Sequence, residues 1–162
     1  MKGRGFAGTI LHVDLSKRRT WTDPLNENIA KNYLGGLGIC VKLASDLIPH
    51  NSDPLSPESL FVLGAGPLVG TDLPSSSRVY AVAKLPASGT VGWCGAGGYT
   101  FGAQLKYAGY DHIVVSGKSD KPVYLHIEDD RVSIRSAKYL WGLGIDDTCN
   151  LTSVDVWRCV CV

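Results

Sequence analysis

The chain has 162 residues, enough for one domain with a substantial core and not comfortably two. It is 44% hydrophobic and 19% charged with a formal net charge of +1, a soluble globular balance with no basic patch that would announce a nucleic-acid partner. Apolar runs such as Leu60–Leu63 and Ile113–Val115 fall far short of the roughly 20 residues of a membrane span, which excludes a helical membrane anchor within them.

In chain order, the N-terminal MKGRGFAGTILHVDL alternates and soon reaches Asp14, so it is no secretory signal and a cytoplasmic location is expected. Gly8–Leu15 alternates apolar and polar residues, passes a turn at Ser16–Arg19 and reaches Thr20-Trp21-Thr22, the pattern of a β-hairpin. Asp23-Pro24 is expected to begin a new element. Asn28–Leu34 has helical spacing stopped by Gly35-Gly36, and Gly38–Leu47 predicts a second helix with Ile39, Cys40, Leu43, Ala44 and Leu47 on one stripe. His50–Glu58 is a polar, proline-bearing surface loop, and Leu60–Ala65 a buried strand meeting the Gly66-Pro67 turn.

Arg78–Ala83 predicts another strand, Ala103–Ala108 a short helix closed by Gly109, and His112–Ser116, Val123–Ile127 and Arg131–Arg135 three strands of a β-meander. The tail Leu151–Val162 carries no cap or turn logic and reads as a buried last strand or as part of something longer. Helices early, strands late and no βαβαβ alternation predict an α+β domain of two antiparallel sheets (meander, sandwich or pseudo-barrel) with a few helices.

The most informative stretch runs from Arg78 to Asp111. A KLPASG turn leads into Gly92, Gly95, Gly97, Gly98 and Gly102. Glycines this dense let a backbone approach a large ligand and aim bare N–H groups at anionic oxygens, and Arg78 adds a charge-assisted donor. The segment holds no strict GxGxxG and no GKS or GKT at P-loop spacing, so neither a dinucleotide fingerprint nor a P-loop is supported. Two bland readings stand beside the cradle: glycines for bulges and tight turns, and an arginine solvated at a strand edge.

Other candidates carry less. His12, His50, His112 and His126 show no metal-like spacing, and neither they nor Asp14 meet a clear nucleophile partner. His112 and His126 lie in predicted strands and are expected to be packing residues. Trp21, Trp93 and Trp141 are expected as core or pocket walls, with Trp93 free to stack on a ring system. The five cysteines form no CxxC pair and argue against a disulfide framework; thiols in or near the core are expected. Cys159-x-Cys161 is a conceivable metal pair lacking further ligands. No residue is singled out as catalytic or as a metal ligand.

Taken in order, GTILHVDLS, NYLGGLGICVKL, DPLSPES, the run Ala65–Thr71, Arg78, KLPASG, GGYTFGAQLKYAGYDHIVVSGKSDKPVYLHI and Tyr139–Gly142 resemble the N-terminal domain of tungsten-containing aldehyde ferredoxin oxidoreductases. The resemblance spans about Gly8 to Gly142. It implies a saddle of two antiparallel sheets under a tungsten (or molybdenum) bis-pterin, and oxidation of aldehydes to carboxylates with electrons passed through a 4Fe-4S cluster to ferredoxin. Arg78 then corresponds to an arginine between pterin and cluster, and Gly95, Ala96 and Gly97 to backbone contacts with the pterin.

The departures are specific. Relatives often carry asparagine at Gly95. The CxxCxxxC ligands of the cluster, the second cofactor arginine and the substrate domains of the full-length family have no counterpart in this sequence. Residues 1–147 are therefore expected to form a cofactor-cradle domain, incomplete relative to the family, and residues 148–162 a divergent tail. The reading is a truncated or stand-alone domain, not active by itself, whose missing domains would come in trans or through self-association. The alternatives are a non-catalytic scaffold or assembly module that keeps the fold without cofactor, and a generic anion- or nucleotide-binding domain.

Overall fold

Alternation draws Thr9–Asp14 into a strand, β1, and a turn with Arg18 at φ 50° returns it as the antiparallel Arg19–Pro24, β2. The computed structural model describes residues 5–97, 100–153 and 160–161. The expected hairpin is there, but Asp23 and Pro24 complete β2 opposite Ile10 and Thr9 and begin nothing new. A proline is tolerated at that position because β2 is an edge strand, with no ladder to serve on its outer side.

Helix α1, Glu27–Tyr33, starts at Asn26, whose side chain accepts a hydrogen bond from the Asn28 N–H at 2.8 Å. It stops at Leu34 in the left-handed region (φ 61°). Helix α2, Leu37–Leu47, buries Ile39, Cys40, Leu43 and Ala44 against β3, Phe61–Ala65, and β4, Val79–Lys84. Each large apolar side chain removed from water on that face stabilises the fold by about 1.5–3 kcal/mol.

The remaining elements are β5, Val91–Ala96; α3, Phe101–Tyr107; β6, His112–Ser116; β7, Val123–Glu128; β8, Arg131–Ser136; α4, Ile145–Ser153; and β9, Val160–Cys161. They make a six-stranded sheet in the order β2-β1-β6-β3-β4-β5 and a three-stranded sheet β8-β7-β9. Two sheets with four helices among the described residues give the α+β class expected. All pairs are antiparallel except β1 with β6, so the larger sheet is mixed.

The expected meander over β6, β7 and β8 is not what forms. Only β7 and β8 make a hairpin, and β6 instead inserts between β1 and β3. The physical reason is burial: His112, Ile113 and Val114 are all buried, which demands cover on both faces and neighbours on both edges. Val62 and Val114 face the layer of α1 and α2, whereas Leu63 and Ile113 face Leu105, Leu125 and Ile127 of α3 and β7. The large sheet is thus the middle of three layers.

Of the expected last strand, only Val160–Cys161 is described, paired with β7, while 151–153 belong to α4. The Cys159-x-Cys161 pair lies outside the described side chains.

The register sets out the two ends of the sheet. Thr9, Ala65, Val79, Ala96 and His112 lie at one; Asp14, Phe61, Lys84, Val91 and Ser116 lie at the other. Packing at its centre leaves no slack at Gly64, where a β-carbon would collide with the His112 ring and sit 2.5 Å from Cys40 Sγ. Gly64→Ala is therefore expected to destabilise the fold by about 3 kcal/mol, as overpacked cores do, read as a lowered midpoint in urea denaturation.

Candidate functional site

Arg78 is the residue immediately before β4, and the β4–β5 register pairs Val79 with Ala96 and Tyr80 with Gly95. That register brings Arg78 beside Gly95. A β-carbon at Gly95 would lie 3.1 Å from Arg78 Nη1 and 3.3 Å from Tyr80 Cε1, so glycine is what lets the guanidinium lie across β5. Arg78 is exposed and has no ion-pair partner among the described residues. Gly97, next along, has open space around the position a side chain would take. Because β5 is an edge strand, N–H groups on its outer side have no ladder partner among the described residues.

The first half of the glycine segment is thus a strand, with Trp93 60% exposed on it and 6.0 Å from the Tyr80 ring. Gly98 and Tyr99 lie outside the described residues.

Beside Arg78 opens a cleft of about 540 Å³, whose walls include Gly35 and Gly36 of the α1–α2 turn, Gly66 and Pro67 after β3, Ser75 and Ser76, and Tyr80. The turn holds three successive positive φ values, 61° at Leu34, 124° at Gly35 and 49° at Gly36. Glycine is required at 35 for a second reason, since a β-carbon there would lie 2.6 Å from Pro67 Cδ. The opposite wall is fixed by its own side chains: Thr71 Oγ1 donates to the Leu68 carbonyl at 2.6 Å and Ser76 Oγ to the Leu73 carbonyl at 2.7 Å.

Behind this cleft sits a buried ion pair. Asp111 accepts from the backbone N–H groups of Ala7 (3.0 Å) and Gly8 (2.6 Å) and from Lys106 Nζ (2.5 Å). Lys106 also donates to the Gly5 carbonyl at 2.5 Å and lies 5.5 Å above the Phe6 ring. The clamp presses Gly5 (φ 85°) onto Pro67, a cleft wall. Next to it His112 is fully buried, with neither ring nitrogen meeting a hydrogen-bond partner; the Gly36 backbone approaches it without the alignment of a full bond. Burial pushes its pKa down to about 4, against smaller raising effects from Asp111 and the Gly36 backbone. Burial likewise pushes the neighbouring Cys40 thiol up to about 12, leaving it inert.

Arg78, Gly95, Ala96 and Gly97 therefore share one corner of the sheet. His112 and His126 are buried strand residues, as expected of packing histidines. His12 instead lies at the surface edge, 3.2 Å from Asp23 and stacked on Trp21; burial lowers its pKa and Asp23 opposes that. Asp14 caps its own turn by accepting from the Lys17 N–H. The tryptophans correct an expectation: Trp21, Trp93 and Trp141 are 39%, 60% and 76% exposed, so none is a core wall. Of the thiols, Cys40 is buried and Cys94 and Cys149 are exposed.

Sequence reasoning missed Tyr80, Lys106 and Asp111 and the glycine turns at 35–36 and 66 as parts of this corner. The available signal was two glycine-bearing turns read only as element stops, and an aspartate directly preceding the largely buried strand His112–Ser116.

Residues 10–160 match the family model described as the aldehyde ferredoxin oxidoreductase N-terminal domain. The chain belongs to the aldehyde ferredoxin oxidoreductase family, as an N-terminal domain. It is similar to the tungsten-containing aldehyde ferredoxin oxidoreductases of Pyrococcus furiosus (41% identical over 144 residues) and Thermococcus kodakarensis (42% over 144 residues), in each case over 89% of this chain and 24% of the relative. Among solved structures it is similar to the active-site complex BamBC of benzoyl coenzyme A reductase in complex with 1,5-dienoyl-CoA, with a TM-score of 0.90 and 35% identity over 94% of this chain and 23% of that one. This aldehyde ferredoxin oxidoreductase domain thus spans about a quarter of the length of those relatives. Among its described residues no helix is long and apolar enough to cross a membrane, and no group of three or more His, Cys, Asp or Glu side chains clusters as a metal site.

Proposed function

We propose that this domain is part of the seat of a tungsten (or molybdenum) bis-pterin in an aldehyde:ferredoxin oxidoreductase of the cytoplasm. The single observation that carries the reading is Arg78, an unpaired exposed guanidinium laid across Gly95 at the mouth of a cleft. The residues present fit an anionic, ring-bearing group: a cation without a counter-ion, backbone opened at Gly97, and exposed aromatic surface at Trp93. Arg78 would bind anionic oxygens of the pterin, Gly95, Ala96 and Gly97 would offer backbone groups, and the Gly35–Gly36 and Gly66–Pro67 walls would exclude water from one side. When bound, the group supplies oxidation of an aldehyde to its carboxylate. The 4Fe-4S cluster, its ligands, the substrate pocket and the ferredoxin contact would come from outside this domain, in trans or from a longer chain.

Tungsten and molybdenum analysis with pterin fluorescence on the purified chain tests binding directly, and Arg78→Met is expected to lower retained pterin about tenfold, the worth of one charge-assisted contact. Equal retention by both proteins, or no metal and no pterin in either, would remove the case for this seat in the isolated chain.

A second reading, a scaffold module that keeps the fold without cofactor, is favoured by the apolar rim of the cleft, where Leu34, Leu68 and Leu73 are each more than half exposed. It requires self-association in light scattering together with absence of pterin; a cofactor-bearing monomer contradicts it.

A further inference from the structure

The edge of the large sheet farthest from Arg78 is β2, whose outward backbone groups meet no strand among the described residues. Its ladder with β1 fixes which groups those are. The Leu25 N–H donates to the Gly8 carbonyl at 2.9 Å, so antiparallel alternation turns the N–H and C=O of Asp23, Trp21 and Arg19 inward to β1. Thr20 and Thr22 therefore aim theirs outward. Pro24 has no N–H and Arg18 leaves the strand at φ 50°, which limits outward pairing to residues 19–23.

That stretch, Arg-Thr-Trp-Thr-Asp, reads alike in both directions except that its two ends exchange charge. Set antiparallel against itself about Trp21, it twice places Thr20 opposite Thr22 of a second copy. These are the residues whose groups point outward, so each of those pairs can exchange both of its N–H···O bonds. Trp21 then meets Trp21 of the second copy in a non-hydrogen-bonded pair, where Cα atoms lie about 4.5 Å apart. Arg19 falls opposite Asp23, again twice, on one face of the sheet. A parallel alignment would instead set Arg19 against Arg19 and Asp23 against Asp23.

The groups are available for this pairing. Every residue of β2 is exposed except the half-buried Thr20. Arg19 has no ion pair among the described residues and lies 5.9 Å from the Trp21 ring. Asp23 is 3.2 Å from His12, whose pKa burial lowers, so near neutral pH the imidazole leaves the carboxylate charge uncancelled. Charges on an edge strand usually guard it against pairing; here their opposite signs about a central residue select one alignment. A net charge of +1 adds little repulsion between copies.

We propose that β2 is a self-association edge, where a second copy of this chain pairs antiparallel about Trp21 and joins the two large sheets into one. Because β2 and β5 are opposite edges of the sheet, this pairing and the Arg78 seat stand or fall separately. A dimer through the apolar rim of the cleft would be a different result.

Sedimentation equilibrium of the full chain from about 10 μM to about 1 mM is the test, under reductant because Cys94 and Cys149 are exposed. A ladder this short makes a small interface, and a dimer with a Kd on the order of 100 μM is expected. Arg19→Asp and Asp23→Arg each turn both facing pairs into like charges, and each should raise the Kd at least about tenfold. Mixed in equal amounts, the two variants face opposite charges again, and their heterodimer should return to within about threefold of the parent Kd. Thr22→Pro removes an outward N–H and no bond to β1, and should raise the Kd about tenfold. Should Asp23→Arg fail to fold, Arg19→Asp and Thr22→Pro decide. The proposal is overturned by a chain that stays monomeric throughout that range, by a dimer that Arg19→Asp or Thr22→Pro leaves unchanged, or by a mixture that associates no better than either variant alone.

Discussion

Asp111→Ala is expected to destabilise this domain by about 3–5 kcal/mol, which for a chain of this size lowers the melting temperature by about 10 °C. The carboxylate is fully buried and holds three donors at once: two backbone N–H groups from the segment before β1 and the ammonium of Lys106. Removing it leaves a nearly buried lysine with the Gly5 carbonyl as its remaining bonded partner and orphans the N–H groups of Ala7 and Gly8. The loss arises from the uncompensated charge more than from the attraction itself, so removing both charges is milder than removing one. Lys106→Met combined with Asp111→Asn is accordingly expected to recover at least half of the stability lost in Asp111→Ala, measured by urea denaturation of all variants. The single variant also frees Gly5 from Pro67, so pterin retention should fall together with stability in Asp111→Ala. If the double variant is as unstable as the single one, the clamp is not an ion pair in energetic terms.

Local pattern made several elements legible. The β1–β2 hairpin, both early helices and the β7–β8 hairpin follow from residues within a dozen positions of one another, where periodicity and turn chemistry decide the outcome. What it did not show was set by distant partners. Strand β6 looks like the first arm of a meander because β7 follows it, yet the pairing that buries Ile113 and Val114 is with β1 and β3, 50 to 100 residues earlier. The tryptophans misled for a related reason: large aromatics favour burial on average, but Trp21 and Trp93 fall on edge strands whose outward faces nothing described covers. Arg78 was legible as a candidate from its place before the glycines, whereas Tyr80 and the walls at Gly36 and Gly66 were not. They reach the cleft only through the pairing of β3 with β4 and the docking of α2 on both. Asp111 was hidden by the same rule, since its partners Ala7 and Gly8 lie more than 100 residues away.

His112 makes the stability of the domain depend on pH in a defined window. In the unfolded chain a histidine titrates near 6.5, whereas the folded pKa is about 4, so the unfolded state binds more protons between those values. The group's contribution is fully present above about pH 6.5, falls as the pH drops and is gone near pH 4, a total of about 3 kcal/mol for this shift. Burial outweighs the neighbours: Lys106 from α3 opposes a second positive charge and Cys40 from α2 stays a thiol, whereas the Gly36 backbone and the Asp111 carboxylate, itself engaged by Lys106 and two N–H groups, favour the charged ring less strongly. His112→Phe keeps a planar ring against Gly64 and Cys40 and removes the titrating nitrogens, but its larger ring in a site without slack is expected to cost about 1–3 kcal/mol at every pH, so the pH dependence is what distinguishes it from the parent. Between pH 6.5 and 4 the parent should lose about 3 kcal/mol more than the variant, in urea denaturation at each pH. His12, whose pKa is also lowered, is present in both proteins and cancels in the difference. Parallel stability curves for the two proteins would mean that the ring accepts its proton in the folded state after all, with the approaching Gly36 backbone taking a full hydrogen bond from it.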